Sequence, residues 1–316
     1  MSPAVPLFTE SFSGRAHGKV NLHLGVGEAR ADGYHELSTV FMAVDRAETV
    51  TLTPAEEASI STTFHVEEPD EDVDTPRNLA WRAVEALAGV AGDAEGADLP
   101  PVRIEVDKTI PVAGGMAGGS ADAAAAVVAA EALLLHYGYT VEPEDRDNVW
   151  KALGADVPFA AMGGVALGTD RGDSLVPMMC RGSYWFAFLN PKVGLSTGKV
   201  FEKLDDLRFT YASMVPHMDT ALISRALLSG EPHQVGAAMH NDLEPAALAL
   251  RPSLQQIIHG AEDAGAIRAM VSGSGPTIAA LCEDQAVALR VVDKLTAQGN
   301  IEGFAAQGPV GGAALL

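Results

Sequence analysis

Hydrophobic and polar residues alternate without interruption in the segment 19–26. Apolar side chains occupy positions 20, 22, 24 and 26, and the odd positions hold Lys19, Asn21, His23 and Gly25. A period of two residues is typical of a half-buried β-strand, whose neighbouring side chains point to opposite faces. The pattern therefore predicts a strand that carries Lys19 and Asn21 on one face.

The same reasoning divides the rest of the chain into strands and helices. Alternation and short apolar runs predict strands at residues 49–53, 60–66, 102–106, 184–189, 267–271 and 277–281, with a last extended piece at 303–307. Helical spacing predicts helices at residues 79–90, 122–137, 147–153, 220–228, 254–264 and 285–298. Ser120 is the expected N-cap of the second helix, and Asp122 suits the positive end of its dipole.

The order of these elements predicts a fold of the α+β class. After residue 180 it follows the split β-α-β-β-α-β arrangement, in which two helices cover one sheet. We therefore expect two domains, residues 1–180 and 181–316.

Charge and composition limit the classes of partner. The chain of 316 residues has 42 acidic and 21 basic residues, and its net charge of −21 repels nucleic acids and anionic membranes. The longest apolar run, residues 123–130, is far shorter than the roughly 20 residues that span a bilayer, and the N-terminus has no secretory pattern. Cys180 and Cys282 predict neither a disulfide framework nor a metal site. We expect a cytoplasmic protein, monomer or homodimer, without nucleic-acid or membrane partners.

Candidate chemistry is concentrated in a glycine-rich loop, residues 111–122. Gly114, Gly115, Gly118 and Gly119 leave backbone N–H groups unobstructed, and the helix that follows adds unpaired N–H groups and a partial positive charge. The loop therefore predicts a phosphate cradle with a nucleotide as its ligand. It is neither a Walker loop nor a dinucleotide fingerprint, because the closing Lys and the downstream acid are missing. A tight turn at close helix–strand packing stays the alternative.

Two other turns carry candidate groups. Asp156 stands between Gly154 and Pro158, which predict a constrained turn around its carboxylate. Residues 272–277 read Ser-Gly-Ser-Gly-Pro-Thr and form a second small-residue turn.

Together these segments resemble the GHMP kinases, named for galacto-, homoserine, mevalonate and phosphomevalonate kinases. The strand with Lys19, the loop at 111–120 and the turn at 272–277 follow the order of the family's three motifs. The resemblance covers nearly the full chain. It implies the two-domain GHMP kinase fold, with an N-terminal half like domain 2 of ribosomal protein S5 and a ferredoxin-like C-terminal half. It also implies ATP as co-substrate.

Segments 16–22, 30–37 and 153–158 resemble one branch of that family. The branch phosphorylates the 2-hydroxyl of a cytidine diphosphate-linked sugar alcohol, 4-diphosphocytidyl-2-C-methyl-D-erythritol, in the non-mevalonate isoprenoid pathway. The resemblance implies that Asp156 takes the hydroxyl proton and that Lys19 polarises the hydroxyl group. It implies a substrate site formed by Asn21, Tyr34, His35 and Phe201. For Phe201, a place in the core is the alternative.

The resemblance also implies the nucleotide contacts. Phosphate contacts are expected from Gly114, Gly115, Gly118, Gly119 and Ser120. Ser272, Gly273, Ser274 and Gly275 match the third motif and are expected either to close over the substrate phosphate region or to buttress the glycine loop. Asn78 and Lys108 match positions that line the adenine pocket, although Lys108 could equally be an exposed lysine at a strand end. The family's second loop serine is Ala121 in this chain. Mg²⁺ is therefore expected to be carried by ATP, with unknown protein ligands.

Two alternatives stay open. The chain could be another small-molecule kinase of the family, of the homoserine or mevalonate type. It could also be a nucleotide-binding module without catalysis, because Ala117 and Ala121 depart from the usual loop. A further departure from the family pattern is His-Gly-Lys at residues 17–19 in place of Pro-Ala-Lys.

Overall fold

A computed structural model describes residues 10–30, 33–69, 71–92, 96–112, 114–297 and 299–316. Several sequence predictions lie outside the described residues: the N-terminal pattern before residue 10, positions 31–32 of the segment 30–37, position 113 of the glycine loop and the final residue of the predicted helix 285–298.

The described chain contains the following strands and helices in order. The strands are β1 (Phe12–Ala29), β2 (His35–Pro54), β3 (Ser59–Phe64), β4 (Val102–Lys108), β5 (Val165–Asp170), β6 (Ser174–Pro177), β7 (Tyr184–Asn190), β8 (His240–Asn241), β9 (Arg268–Val271), β10 (Ile278–Cys282), β11 (Glu302–Gly308) and β12 (Ala314–Leu315). The helices are α1 (Leu79–Val90), α2 (Gly118–His136), α3 (Pro143–Leu153), α4 (Val157–Met162), α5 (Thr197–Thr210), α6 (Ala221–Ser229), α7 (Pro232–Ala238), α8 (Glu244–Leu250), α9 (Ser253–Asp263) and α10 (Gln285–Thr296).

The first sheet is built on the long antiparallel pair β1–β2. Its main order is β12-β1-β2-β4-β3, and β5, β6 and β8 attach at its sides. The alanine-rich helix α2 packs closely on this sheet, because small side chains let the backbones approach. At Gly14, an added Cβ would lie 2.0 Å from the carbonyl oxygen of Ala125. The approach fixes α2, and with it the glycine loop, against β1.

The second sheet has the order β11-β7-β10-β9, with antiparallel neighbours throughout. Helices α9 and α10 pack on its strands. This arrangement confirms the split β-α-β-β-α-β layer and the α+β class. Phe186 and Phe188 of β7 belong to the same buried cluster as residues of the first sheet.

Two short strands return to the first sheet from late in the chain. β8 pairs in parallel with β1 through His23 and His240, and β12 pairs with β1 through Arg15 and Ala314. The segment before β12 lies on α4, where the Ala313 N–H donates to the carbonyl oxygens of Ala160 and Ala161 at 3.1 and 3.2 Å. The division at residue 180 stays a prediction.

One described helix, α2, is long and apolar enough to cross a membrane by length and composition. Two thirds of that stretch, 67%, is buried inside the protein. Its alanines face β1, β2 and α1, so it serves as a core helix here.

Four elements between residues 157 and 210 were not predicted: α4, β5, β6 and α5. The predicted strand at 49–53 is only the end of β2, which has 20 residues. Each unpredicted element is short or carries a mixed pattern, and tertiary pairing decides its conformation. β5, for example, is fixed by its ladder with Leu37–Met42 of β2.

Candidate active site

Lys19 stands at the centre of the site. β1 buries its side chain, and the ammonium donates to Asn21 Oδ1 at 2.7 Å and to the carbonyl oxygen of Gly115 at 3.1 Å. Asn21 is oriented in turn because its amide nitrogen donates to Thr39 Oγ1 at 2.8 Å. Burial lowers the pKa of Lys19, and the neighbouring Asp156 acts in the opposite direction. The Lys19 ammonium is therefore held in a fixed position by Asn21 and Gly115.

Asp156 lines the same cleft as Lys19 and lies close to the Lys19 ammonium. Its Oδ2 lies 4.0 Å from Lys19 Nζ, and its side chain is 36% exposed. The turn predicted over 154–159 is only partly correct. Asp156 occupies the N-cap position of α4, and the residues after it are helical, with Pro158 in the first turn where a missing N–H costs nothing. The carboxylate makes no capping hydrogen bond and stays available to the cleft.

The glycine loop forms a tight bend against the third motif. Gly115 has φ +76°, and an added Cβ would lie 2.2 Å from the carbonyl oxygen of Ser272. The prediction that Ser120 caps α2 is wrong. The N-cap is Ala117, with φ 59° and ψ 35°, and the helix begins at Gly118. Ser120 lies within the first turn, so its own amide joins the unpaired N–H groups there.

The turn at 272–275 closes over the glycine loop. The Ser272 hydroxyl donates to the carbonyl oxygen of Gly115 at 3.3 Å. Gly273 packs beside Asn21 and Lys19, with φ +59°. Asn241, which sequence reasoning missed, holds this turn by donating to the carbonyl oxygens of Val271 and Gly273, both at 2.8 Å. No local pattern marks Asn241, because its partners are more than 25 residues away along the chain.

These groups line a cleft of about 350 Å³, within the size range of small-molecule sites. The sequence-predicted residues along it are Lys19, Asn21, Gly114, Gly115, Gly118, Gly119, Ser120, Asp156, Phe201, Gly273 and Ser274. Thr39, Arg171 and Thr197 also line it and were not predicted. A second cavity of about 380 Å³ shares Gly119 and Leu79 with the cleft and is lined by Asn78 and Lys108.

Lys108 is not an exposed strand-end lysine. It is 6% exposed and forms ion pairs with Asp122 and with Glu48, the latter at 3.2 Å. Burial lowers the pKa of Lys108, but the two carboxylates outweigh it and leave that pKa above its ordinary value. Burial raises the pKa of Glu48 to about 7 and also raises that of Asp122, although Lys108 opposes both shifts. Glu48 and Asp122 therefore both have Lys108 as their ion-pair partner.

Asn78 caps α1. Its Oδ1 accepts from the Ala80 amide at 2.9 Å, and its Nδ2 donates to the carbonyl oxygen of Val73 at 3.1 Å. The residue therefore fixes the start of α1 at the edge of the second cavity.

Phe201 and Arg171 line the cleft, and His35 and Tyr34 lie against them. The rings of His35 and Phe201 are 5.1 Å apart, and Phe201 is only partly buried, on α5. His35 Nε2 lies 2.9 Å from Asp205 Oδ1. Tyr34 is 50% exposed, and the guanidinium of Arg171 lies 4.1 Å from its ring centre. The structure thus places His35 against Phe201, and Tyr34 against a cation that was not predicted.

Known proteins resemble this chain over most of its length. Models described as the GHMP kinases N terminal domain and GHMP kinases C terminal match residues 78–164 and 223–301. A 4-diphosphocytidyl-2-C-methyl-D-erythritol kinase of Corynebacterium efficiens is 49% identical over 291 residues, which cover 90% of this chain and 89% of that protein. The same-named protein of Mycolicibacterium gilvum is 43% identical over 312 residues, covering 98% and 94%.

Solved structures give the same picture. A crystal structure of 4-(cytidine 5'-diphospho)-2C-methyl-D-erythritol kinase superposes with a TM-score of 0.73 at 29% identity, covering 94% of this chain and 99% of that one. The mevalonate kinase of L. major has a TM-score of 0.70 at 15% identity, covering 93% and 94%, and shares the fold alone. This chain therefore belongs to the GHMP kinases, in the family of 4-diphosphocytidyl-2-C-methyl-D-erythritol kinases.

Proposed function

We propose that this chain transfers the γ-phosphoryl group of ATP to the 2-hydroxyl of 4-diphosphocytidyl-2-C-methyl-D-erythritol. The observation that carries the proposal is the meeting of Lys19 and Asp156, 4.0 Å apart, beside a glycine bend that opens on the same cleft. A chain of this family with an intact cation–carboxylate pair has the groups that an alcohol kinase needs.

Asp156 is the proposed general base. As the acceptor oxygen attacks the γ-phosphorus, its proton passes to the Asp156 carboxylate, and the bond between the γ-phosphorus and the β,γ-bridging oxygen breaks to release ADP. Lys19 stabilises the developing negative charge, because a buried ammonium acts in a low-dielectric, water-poor environment. Asn21 fixes the ammonium through the 2.7 Å hydrogen bond and is itself a candidate contact for the sugar-alcohol hydroxyls.

The triphosphate is proposed to lie on the glycine bend. The unpaired amides at the start of α2 and the positive end of its dipole favour an anion there. The adenine would then enter the cavity beside Asn78 and Lys108, and the turn Ser272–Gly275 would cover the phosphates. Mg²⁺ enters as part of the substrate MgATP. Asp122 and Glu48 already pair with Lys108, which leaves Asp156 as the acid that lines the catalytic cleft in the described part of the chain.

The cytidine end is proposed to lie between Tyr34 and Phe201. The carboxylate of Asp205 can only accept, so His35 Nε2 carries the proton and donates to it. In the neutral imidazole, His35 Nδ1 is then an acceptor for the exocyclic amine of cytosine. Arg171, on the ring of Tyr34, supplies positive charge near the diphosphate.

Phosphorus NMR of the purified chain with MgATP and the diphosphocytidyl alcohol tests this function. A new phosphomonoester resonance, with ADP formed in equal amount, is the expected result. Mevalonate and homoserine serve as parallel acceptors. Turnover of either one in place of the cytidyl substrate would assign the chain to another type of GHMP kinase. ATP binding without transfer to any acceptor would leave a nucleotide-binding module.

We also propose that this reaction takes place in the cytoplasm, as a monomer or homodimer. Size-exclusion chromatography with light scattering, with and without substrates, decides between the two oligomeric states.

A further inference from the structure

Two imidazoles and one carboxylate converge outside the residues that line the cleft. His240 lies on β8, Asp242 is the residue directly after that strand, and His217 lies in the loop before α6. Asp242 Oδ1 is 2.7 Å from His240 Nε2 and 3.3 Å from His217 Nδ1. The potential ligand atoms of these three residues all lie within 4.8 Å of one another.

The carboxylate is held in place by its other oxygen. Asp242 Oδ2 accepts from the Val26 amide at 2.9 Å, from the His217 amide at 3.1 Å and from the Arg208 guanidinium at 3.1 Å. These donors leave Oδ1 directed at the two imidazoles. His23 Nε2 donates to the carbonyl oxygen of His217 at 2.8 Å and so fixes the loop. Such outer hydrogen bonds orient ligands in established metal sites.

We propose that His217, His240 and Asp242 bind one divalent transition-metal ion, for which Zn²⁺ is the probe. Zinc bonds of about 2.0 Å in tetrahedral geometry place ligand atoms about 3.3 Å apart. The His217–Asp242 distance already meets this value, the His240–Asp242 distance of 2.7 Å is about 0.6 Å shorter than it, and no two of the three ligand atoms are more than 4.8 Å apart. Zinc with three protein ligands keeps a fourth position for water.

Exposure and ligand type support this class of ion. The side chains of His217 and His240 are 60% and 35% exposed, so an ion can enter from solvent, while Asp242 is only 5% exposed. Two imidazole nitrogens among three ligands favour zinc, copper, nickel or cobalt over Mg²⁺ and Ca²⁺, which prefer oxygen. The Arg208 guanidinium reduces the negative charge of the site, so the affinity should be lower than that of a closed four-ligand site.

The ion would brace the strand that supports the active site. Asn241 lies between the two proposed ligands His240 and Asp242 in the sequence, and its side-chain amide donates to the carbonyl oxygen of Gly273 in the turn. Metal binding should therefore stabilise the fold around β8 without entering the chemistry of phosphoryl transfer.

Isothermal titration of chelator-treated full-length protein with Zn²⁺, in the absence of substrates, tests the site. We expect one ion per chain. Either substitution, His217→Ala or His240→Ala, should weaken Zn²⁺ binding by about tenfold or more. The matched control is His233→Ala, which removes another imidazole paired with a carboxylate, Glu283 at 3.3 Å, with 70% exposure. It should leave binding unchanged, and Mg²⁺ should not compete.

Co²⁺ gives a second readout through its visible absorption, which reports nitrogen ligation. Because His217 is largely exposed, His217→Ala should fold like the natural chain, and metal-free thermal melting checks this. The proposal is overturned if the natural chain takes up no stoichiometric Zn²⁺, or if His217→Ala binds it as tightly. Neither result bears on the proposed kinase reaction, since no substrate is present.

Discussion

At the scale of single residues, the site depends on one buried ammonium with three oxygen neighbours. Lys19 meets Asn21, the backbone of Gly115 and the carboxylate of Asp156. Alternation along the strand predicted that Lys19 and Asn21 share one face, and the resemblance to the GHMP kinase motifs implied their roles. The sequence could not predict Asn241 or Glu48, whose roles are set by partners brought near through the fold.

The first residue-scale prediction concerns Asp156→Asn. If the carboxylate takes the hydroxyl proton, the amide cannot, and kcat should fall by about 100-fold or more while ATP affinity changes little. Single-turnover kinetics and equilibrium ATP binding measure the two quantities separately. Asp147→Asn, on the exposed face of α3, is the matched control and should keep the natural rate. An unchanged kcat in Asp156→Asn would remove the general base from the mechanism.

Ala117 gives a second prediction at this scale. It holds a left-handed conformation, φ 59°, that costs an L-residue about 1–2 kcal/mol and glycine little. Ala117→Gly should raise the free energy of unfolding by about 0.5–1 kcal/mol, because the greater entropy of unfolded glycine offsets part of the gain. Urea denaturation measures it. Ala286→Gly, in the right-handed helix α10, should have the opposite sign.

At the scale of elements, β2, β4 and α2 meet at a buried charged cluster. Glu48 from β2 and Asp122 from α2 both pair with Lys108 from β4, and Glu48 also accepts from the amides of Thr109 and Ile110 at 2.7 and 3.1 Å. Sequence alternation predicted β4 with its start at Val102, and helical spacing predicted α1 with both ends. The predicted start of α2, residue 122, was wrong, because the helix begins at Gly118. Glycines are poor helix formers, and Gly118 and Gly119 become helical because the loop before them packs against Ser272.

This cluster predicts a pH dependence of stability. The pKa of Glu48 is about 7 in the folded chain and 4.5 when unperturbed, so the folded state holds an extra proton between these values. The contribution of Glu48 to stability is full below pH 4.5 and is lost as pH rises through about 7. The difference in unfolding free energy between the natural chain and Glu48→Gln should therefore shrink by about 1–3 kcal/mol from pH 5 to pH 8.

Urea denaturation of both proteins at several pH values checks this trend. Subtracting the variant cancels the titration of groups away from the cluster, including the histidines. A difference that stays constant, or grows with pH, would mean that Glu48 is ionised throughout.

At the scale of the whole molecule, late residues complete a sheet begun by early ones. Residues 310–316 run along β1 and α4: Gly164 donates to the Val310 carbonyl at 2.7 Å, and Leu316 donates to that of Ser13 at 2.8 Å. The predicted linear order of two domains carries no sign of this return. Two or three residues at a strand edge have too little pattern to be read, and their pairing is a long-range property.

Two adjacent glycines test that return. An added Cβ at Gly312 would lie 2.1 Å from the Ala161 carbonyl oxygen, whereas at Gly311 it would meet nothing within 4 Å. Gly312→Ala should cost about 1–3 kcal/mol of stability, as overpacking does, and lower kcat by shifting α4, which carries Asp156 at its start. Gly311→Ala should melt and turn over like the natural chain. Thermal melting and steady-state kinetics suffice, and equal behaviour of the two variants would contradict the contact.

The pairing of β1 with β8 and β12 also orders events during protein synthesis. β1 leaves the ribosome before its neighbours at residues 240–241 and 314–315, which emerge more than 200 residues later. Until then, one edge of the strand that bears Lys19 has unsatisfied backbone groups, which invite pairing with other nascent chains. A pause in translation before residue 240 would therefore leave an aggregation-prone intermediate with an unpaired strand edge. Holdase chaperones should associate with this chain at that stage.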